Sequence, residues 1–437
     1  MKSSRYNFFV PLEKEGDYIL YNTFSGAIFF VDRELKDAVK KNPSGIPGDI
    51  LEDFKKEWVL LEDDLDELQV VSVVRDEMRF NASRLQFVIM TTYDCNLNCP
   101  YCYEKKDPMT SLTDDSCARI SKFVERLIER QRARELDFLM YGGEPLLEIE
   151  HMMQLIRHFT VAAGDTGFTF SVSMTTNGTL LTPEIVSELE QYPVEVVQVT
   201  LDGPKSLHDL KRVYASGKGT YEDIIRGIDL LRSSSIRPKI RVNIDGVNKD
   251  HIPELLDDLK ERGLSDVQIY YGIVRTISKV CESYGPSCMK DSEIKSVLPK
   301  VWGETLARGF PIPLKPFNNL VGCGMQSNSS FTIDPEGHVY KCVTGTGYPD
   351  QRIGTINEQG DVPAWSPIYY QWFSRNPLEF SSCRACTFFP LCGGGCPMIA
   401  YSRKGTYQSG GCFETKAVLK DQLILYLKQT YPHKFTE

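Results

Sequence analysis

The stretch "LQFVIMTTYDCNLNCPYCYEKK", residues 85–106, runs from an apolar segment straight into three closely spaced cysteines. Its first part, "LQFVIMTT", has the composition of a buried strand. Cys95, Cys99 and Cys102 follow as C-x3-C-x2-C, with Tyr101 just before the last. Three thiols this close cannot all pair with one another, so a shared ligand is the better use for them.

Downstream, strand-like runs recur: "LDFLMYGG", "FTFSVSMTTNG", "VEVVQVTLDG", "KIRVNIDG" and "VQIYYGIV". Helical patterns such as "SCARISKFVERLIERQR", "PEIVSELEQ", "YEDIIRGIDLLRSS" and "IPELLDDLKERG" separate them. Apolar runs alternating with amphipathic helices predict βα units and a parallel sheet buried on both faces. Six such units are too few for a closed eight-stranded barrel. The expected core is therefore an α/β fold, a partial (βα)6 barrel over residues 85–280, with the cysteine triplet at the C-terminal end of its first strand. That end is where parallel α/β sheets place their chemistry.

The chain has 437 residues, formal net charge −9 and 41% hydrophobic residues. The length suits several domains, and the negative balance argues against a nucleic-acid partner. No apolar stretch is long enough for a membrane span, and the N-terminus lacks a signal-peptide core. A cytoplasmic, reducing location is expected. Ten of the thirteen cysteines then fall at spacings typical of metal ligation rather than disulfides. The six histidines form no pair at ligand spacing, and His338 is expected to be exposed. Cys117 reads as a core residue of a helix.

Three thiolates can hold three irons of a [4Fe–4S] cube and leave the fourth open, whereas zinc normally takes four closed ligands. The C-x3-C-x2-C pattern with its aromatic, followed by a strand ending in Gly142-Gly143-Glu144-Pro145, resembles the radical S-adenosylmethionine (SAM) enzymes. The resemblance implies that the open iron chelates SAM, and that reductive cleavage gives methionine and a 5′-deoxyadenosyl radical. It assigns Glu144 to the methionine amino group and places Thr176 and Asn177 near the ribose or methionine part. "VTLDGPKSLHDLKR" resembles the family segment that contacts the methionine carboxylate, with Thr200 and Arg212 as the matching positions.

A second cysteine set follows: Cys323-x13-Gly337-x4-Cys342, then Cys383-x2-Cys386-x5-Cys392-x3-Cys396, and Cys412. It resembles the SPASM extension of peptide-modifying radical SAM enzymes and marks residues 310–437, closed by an amphipathic helix near "ETKAVLKDQLILYLKQ". The resemblance implies two auxiliary [4Fe–4S] clusters, three in all. Cys383, Cys386, Cys392 and Cys412 would hold one. Cys323, Cys342 and Cys396 would hold the other, with Ser329 where fully ligated relatives carry a further cysteine. Two zinc sites are the alternative use of these thiols. Cys281 and Cys288 read as structural thiols or extra ligands.

Residues 1–80 read as two strands, "DYILYN" and "GAIFFVD", then two helices, "ELKDAVKK" and "GDILEDFKKEWVL", with the acidic run "LEDDLDE" as a solvated boundary. The module loosely resembles a winged-helix-like peptide-recognition domain, where a leader peptide adds as a strand to a sheet edge. The expected function is modification of a ribosomally made precursor peptide, with Cys thioether cross-linking as the expected bond and a flavodoxin or ferredoxin as electron donor. Anaerobic sulfatase maturases resemble the chain in the SPASM cysteines, but carry an Asp after the cysteine matching Cys342, where Val343 stands here. A non-catalytic Fe–S electron carrier is the alternative of another class.

Overall fold

The computed structural model describes all residues except 13–14, 105–108, 276–283, 286, 413–414 and 436–437. The chain forms two compact units. The first comprises Met1–Phe80, Leu314–Ser327 and Ser374–Glu437; the second comprises Asn81–Pro313 and Asn328–Phe373. Among the described residues no helix is long and apolar enough to cross a membrane.

Among the described residues of the first eighty lie the strands β1 (Lys2–Ser3), β2 (Asn7–Pro11), β3 (Asp17–Asn22), β4 (Ile28–Asp32) and β5 (Leu60–Leu61). β2, β3 and β4 make an antiparallel sheet with β3 central, and β1 pairs with β5. Period-two alternation along β3 sends Leu20 to one face and Ile19 and Tyr21 to the other. Leu20 packs with Val31, Val39 and Phe54 beneath the helices Arg33–Lys41 and Gly48–Lys56. Ile19, Tyr21 and Val10 pack with Leu419, Leu423 and Leu427 of the helix Thr415–Thr430. β2 is a third strand where two were expected. The acidic run is solvated as expected, with Glu62, Asp63, Asp64 and Asp66 exposed, and it leads into a helix that was not expected, Glu67–Arg79. The Asp66 carboxylate caps that helix by accepting from Leu68 N at 2.9 Å, and acidic groups at a helix N-terminus are favoured by its dipole.

The second unit holds β6 (Arg84–Met90), β7 (Glu135–Tyr141), β8 (Thr169–Thr176), β9 (Val194–Thr200), β10 (Arg237–Ile244) and β11 (Gln268–Ile273). These six run parallel in chain order, joined by helices that include Asp114–Gln131, Ile149–Thr166, Tyr221–Arg232 and Ile252–Glu261. Thr113 opens the first of these helices in a capping box with Ser116. Three further strands, β12 (Ser330–Ile333), β13 (His338–Tyr340) and β14 (Gly354–Thr355), extend the sheet beyond β6, with β12 parallel to it. The order β11-β10-β9-β8-β7-β6-β12-β13-β14 is open at both ends, as a partial barrel requires.

One sheet face is largely apolar, with Phe87, Phe138 and Phe170 in edge-on contact. The other face was expected to be buried in the same way. It carries Gln86, Asp137, Ser171, Ser173, Thr175, Gln198, Arg241 and Asn243, all half-buried. Alternating strands, rather than continuous apolar runs, leave this face polar.

Candidate active site at the strand ends

The cysteine loop leaves β6 and is fastened by the turn after β7. Gly143 N donates to Thr92 O at 2.9 Å, and Glu144 N donates to Asp94 O at 2.8 Å. A Cβ on Gly142 would lie 2.5 Å from Thr92 O, and one on Gly143 only 2.1 Å from Asp94 O. The glycine pair therefore seats the loop's own backbone, a contact no side chain would permit. On its other flank, Asn98 N donates to Val213 O at 2.8 Å, just beyond Arg212.

Cys95, Cys99 and Cys102 are half-buried. Among the described residues, Asp334, Glu336 and His338 are the one trio of potential ligands whose ligand atoms all lie within 4.8 Å, so the three loop sulfurs are spread more widely. A tetrahedral zinc, with Zn–S of about 2.3 Å, would hold its sulfurs about 3.8 Å apart. Three thiols at wider spacing on one loop fit a multi-iron cube better than a single ion.

Glu144 is 0% exposed. Its carboxylate accepts from Thr176 Oγ1 at 2.6 Å, Leu146 N at 3.1 Å and Asn177 N at 2.7 Å. Burial pushes its pKa up, against the pull of those three bonds. Asn177 in turn donates to Asn96 Oδ1 at 2.7 Å and approaches Cys95 Sγ at 3.9 Å. The end of β8 is thereby tied both to Glu144 and to the cysteine loop. Pro145 opens the short 3-10 turn Pro145–Glu148 that Glu144 caps.

After β9, which ends at buried Thr200, lies a second polar cluster. Arg212 Nη1 donates to the Tyr101 hydroxyl at 2.8 Å and lies 3.8 Å from Asp202 Oδ2, which Tyr101 also engages. Asp202 is wholly buried and accepts from Asn243 N at 2.8 Å. Arg212 is 7% exposed, and its buried Nε has no hydrogen-bond partner. Burial alone would lower the Arg212 pKa, but Tyr101, Cys99 and Asp202 carry it well above the usual value. A protonated guanidinium with an idle, dry N–H is a site for an anion.

Asp202 and His208 did not stand out in the sequence. His208 is fully buried, accepts from Asp202 N at 3.2 Å through Nδ1, and reaches Thr220 Oγ1 at 3.1 Å through Nε2. The Thr220 hydroxyl then donates to Arg212 O at 2.7 Å. Burial, and then the charges of Arg212 and Lys211, hold the His208 pKa well below its usual value. It is thus a neutral spacer fixing Asp202 against Arg212.

Of the second cysteine set, Cys383, Cys386, Cys392 and Cys412 all lie in the first unit, as do Cys323 and Cys396, while Cys342 follows β13 in the second. The runs around Gly395 and Gly411 are pressed together. Cys396 N donates to Gly411 O at 2.9 Å, and a Cβ on Gly395 would stand 1.9 Å from that same oxygen. A Cβ on Gly410 would lie 3.2 Å from Cys383 Sγ. These contacts collect Cys383, Cys396 and Cys412. Cys392 lines an open cavity of about 230 Å³ with Phe317, Leu419 and Gln422.

Ser329 is buried and donates to Asn81 O at 3.3 Å. Cys117 is buried on the helix Asp114–Gln131, where burial pushes its thiol up to about 12. Cys288 is half-buried, and Cys281 lies outside the described residues. His338, expected to be exposed, is half-buried, with Nδ1 3.1 Å from Asp334 Oδ2. Asp334 also accepts from the Tyr93 hydroxyl at 3.0 Å, so the β12–β13 turn helps to hold the cysteine loop.

The Radical SAM superfamily matches over residues 89–259. The chain is 26% identical over 317 residues to a serine-type anaerobic sulfatase-maturating enzyme of Klebsiella aerogenes, covering 69% of this chain and 77% of that protein. In fold it is similar to native anSMEcpe with bound AdoMet and the Kp18Cys peptide, at a TM-score of 0.59 and 18% identity, covering 80% of this chain and 98% of the other. It is also similar to SuiB of Streptococcus suis bound to its precursor peptide SuiA, at a TM-score of 0.56 and 15% identity, covering 94% and 98%.

Proposed function

We propose that the chain, which a Radical SAM superfamily domain matches over residues 89–259, is a radical SAM enzyme that uses SAM to modify a ribosomally made precursor peptide. Cys95, Cys99 and Cys102 hold a [4Fe–4S] cluster with one open iron. Such a cluster, when bound and reduced, supplies the electron that splits SAM into methionine and a 5′-deoxyadenosyl radical.

The observation that carries the SAM site is the pairing of two buried charged groups at the strand ends. Glu144 has about four acceptor positions and uses three of them on Thr176, Leu146 and Asn177, which leaves one for the SAM ammonium. Arg212 keeps its buried Nε for the SAM carboxylate, with Tyr101 and Asp202 orienting the guanidinium. Thr200 ends β9 beside this cluster and is a further candidate contact. Gly142, Gly143 and Pro145 hold the Glu144 backbone against the cysteine loop.

For the substrate, the open-edged β2-β3-β4 sheet supports recognition of a leader peptide by strand addition. SuiB is a structure of similar fold with a precursor peptide bound. Cys383, Cys386, Cys392 and Cys412, all within the first unit, would hold one auxiliary [4Fe–4S] cluster, and the resemblance implies a second. An auxiliary iron left open would bind a substrate thiolate and orient it for thioether formation. The electron donor is of the flavodoxin or ferredoxin type.

The test is mass analysis of Cys-containing precursor peptides incubated anaerobically with reduced enzyme and SAM. Loss of two hydrogens, dependent on the leader, supports the reading. Leader-independent oxidation of a sulfatase-derived peptide would favour the second reading, protein oxidation of the sulfatase-maturase kind. The 26% identity to the Klebsiella enzyme favours that reading, and Val343 in place of the expected Asp opposes it.

A further inference from the structure

Arg241 stands on β10, with Thr200 of β9 and Tyr270 of β11 as its register partners. Paired residues of neighbouring strands point to the same side, so all three share the polar sheet face. The guanidinium is fixed from three directions. Nε donates to Asn243 Oδ1 at 2.8 Å, and Cζ lies 5.6 Å from the centre of the Tyr270 ring. A Cβ on Gly272 would stand 2.5 Å from Nη2 and 3.0 Å from Cζ, so the guanidinium fills the space that a side chain on β11 would take. Glycine weakens a strand interior, and one placed there often marks such a close approach.

Arg241 is half-buried and keeps two nitrogens unused. Among the described residues, Nη1 and Nη2 have no protein acceptor and no carboxylate partner. The carboxylates that share the face on β7, Glu135 and Asp137, pair with Arg84. Lys239, two positions before Arg241 on the same face of β10, adds a second positive charge. Tyr270 is 49% exposed, and β11 is an edge strand, so this part of the face is open. A guanidinium held against an aromatic ring, with its Nη1–Nη2 edge outward, matches a carboxylate bidentately.

The same residue adjoins the candidate cofactor site. Arg241 O accepts from Leu201 N at 2.9 Å, and Asn243 N donates to Asp202 Oδ1 at 2.8 Å. Asp202 is the carboxylate that faces Arg212 and Tyr101. Across the face, the Tyr141 hydroxyl at the end of β7 meets the Tyr103 hydroxyl at 2.5 Å. Burial, and then the charge of Glu104, push Tyr141 up to about 12, while Arg241 pulls it down and Cys102 adds to the rise. One hydroxyl therefore feels both the Arg241 guanidinium and a thiol of the first cysteine triplet.

We propose, on the peptide-modifying reading above, that Arg241 is a specificity-determining residue for the substrate peptide, and that its Nη1–Nη2 edge holds a carboxylate of the segment presented to the radical. That carboxylate comes from an Asp or Glu side chain or from the peptide's C-terminus. Tyr270 backs the guanidinium, and Gly272 gives it room. An amide in place of the carboxylate would leave the half-buried charge without its anion, which is how a polar site rejects an uncharged isostere.

The test uses the full chain, reconstituted anaerobically with iron and sulfide and saturated with SAM. Calorimetry compares synthetic probes: acetyl-Gly-Cys-Gly-Gln-Gly-amide, the same peptide with Glu for Gln, and the Gln peptide with a free C-terminus. The expected result is that a carboxylate probe binds the parent about tenfold or more tightly than the capped Gln probe, as a hydrogen bond to a charged group would give. Whichever carboxylate probe gains identifies the source. Arg241→Gln should abolish the gain, and Gly272→Ala, which displaces the guanidinium without removing its charge, should reduce it. Should Arg241→Gln not fold, Gly272→Ala decides. Equal binding of the probes by the parent, or a gain that survives these substitutions, would overturn the role of Arg241 and leave the peptide reading standing. Binding of no probe would also overturn it, and the mass analysis above, which requires no carboxylate, then decides the peptide reading separately.

Discussion

Glu144, the proposed contact of the SAM ammonium, ties the turn after β7 to the end of β8 through Thr176 and Asn177. Its burial raises its pKa above the usual 4.5, so on acidification it takes up a proton sooner than an ordinary glutamate. SAM affinity that needs the ionised form is full above that raised value and falls as pH drops through it. Glu144→Gln should weaken SAM binding at least tenfold, about 1.4 kcal/mol, and remove this acid limb, as read by equilibrium binding across pH. Thr176→Val deletes the 2.6 Å bond to the carboxylate and should cost about 1.5–3 kcal/mol in urea unfolding, the range for a hydrogen bond to a charged group. Glu144 and Arg212 drew notice in the sequence because their segments, Gly142-Gly143-Glu144-Pro145 and "VTLDGPKSLHDLKR", resemble a known family's, and the fold buries both side chains. Asp202 and His208 were not, because isolated polar residues in "LDGPKSLHD" read as a turn until the fold packs them against Arg212 and Thr220.

At the scale of elements, the strand-and-helix alternation was readable because each βα unit carries its own apolar pattern. The pairing of β12 with β6 was not, because it joins residues more than two hundred positions apart. The helix Glu67–Arg79 was hidden by the charges at its start, which cap it, and by two arginines that turn inward. The glycine pair after β7 is an element-level device, since it allows the β7 turn and the cysteine loop to share hydrogen bonds. Gly143→Ala would place a Cβ 2.1 Å from Asp94 O, a backbone atom. It should displace the loop and lower the iron bound at Cys95, Cys99 and Cys102 while leaving far-ultraviolet circular dichroism unchanged. Normal iron content in that variant would show that the seat is dispensable.

For the whole molecule, what a linear reading cannot see is that residues 1–80 and 374–437 share cores. Tyr6 and Val71 pack with Phe389 and Cys383, and Ile19 and Tyr21 pack with Leu419 and Leu423. Deleting residues 1–80 would bare both surfaces, so the truncated chain should aggregate or lose its auxiliary iron, measured against the full chain after the same reconstitution. A soluble truncated chain with full iron would mean that the N-terminal residues serve recognition alone. The proposed function stands on reductive SAM cleavage at the first cysteine triplet. Its most direct test is the yield of 5′-deoxyadenosine and methionine from SAM and reductant under anaerobic conditions. The expected result is equal amounts of both from the intact protein and none from the variant with Cys95, Cys99 and Cys102 replaced by Ala. Equal yields from the two proteins, or none from an intact protein fully loaded with iron and sulfide, would contradict it.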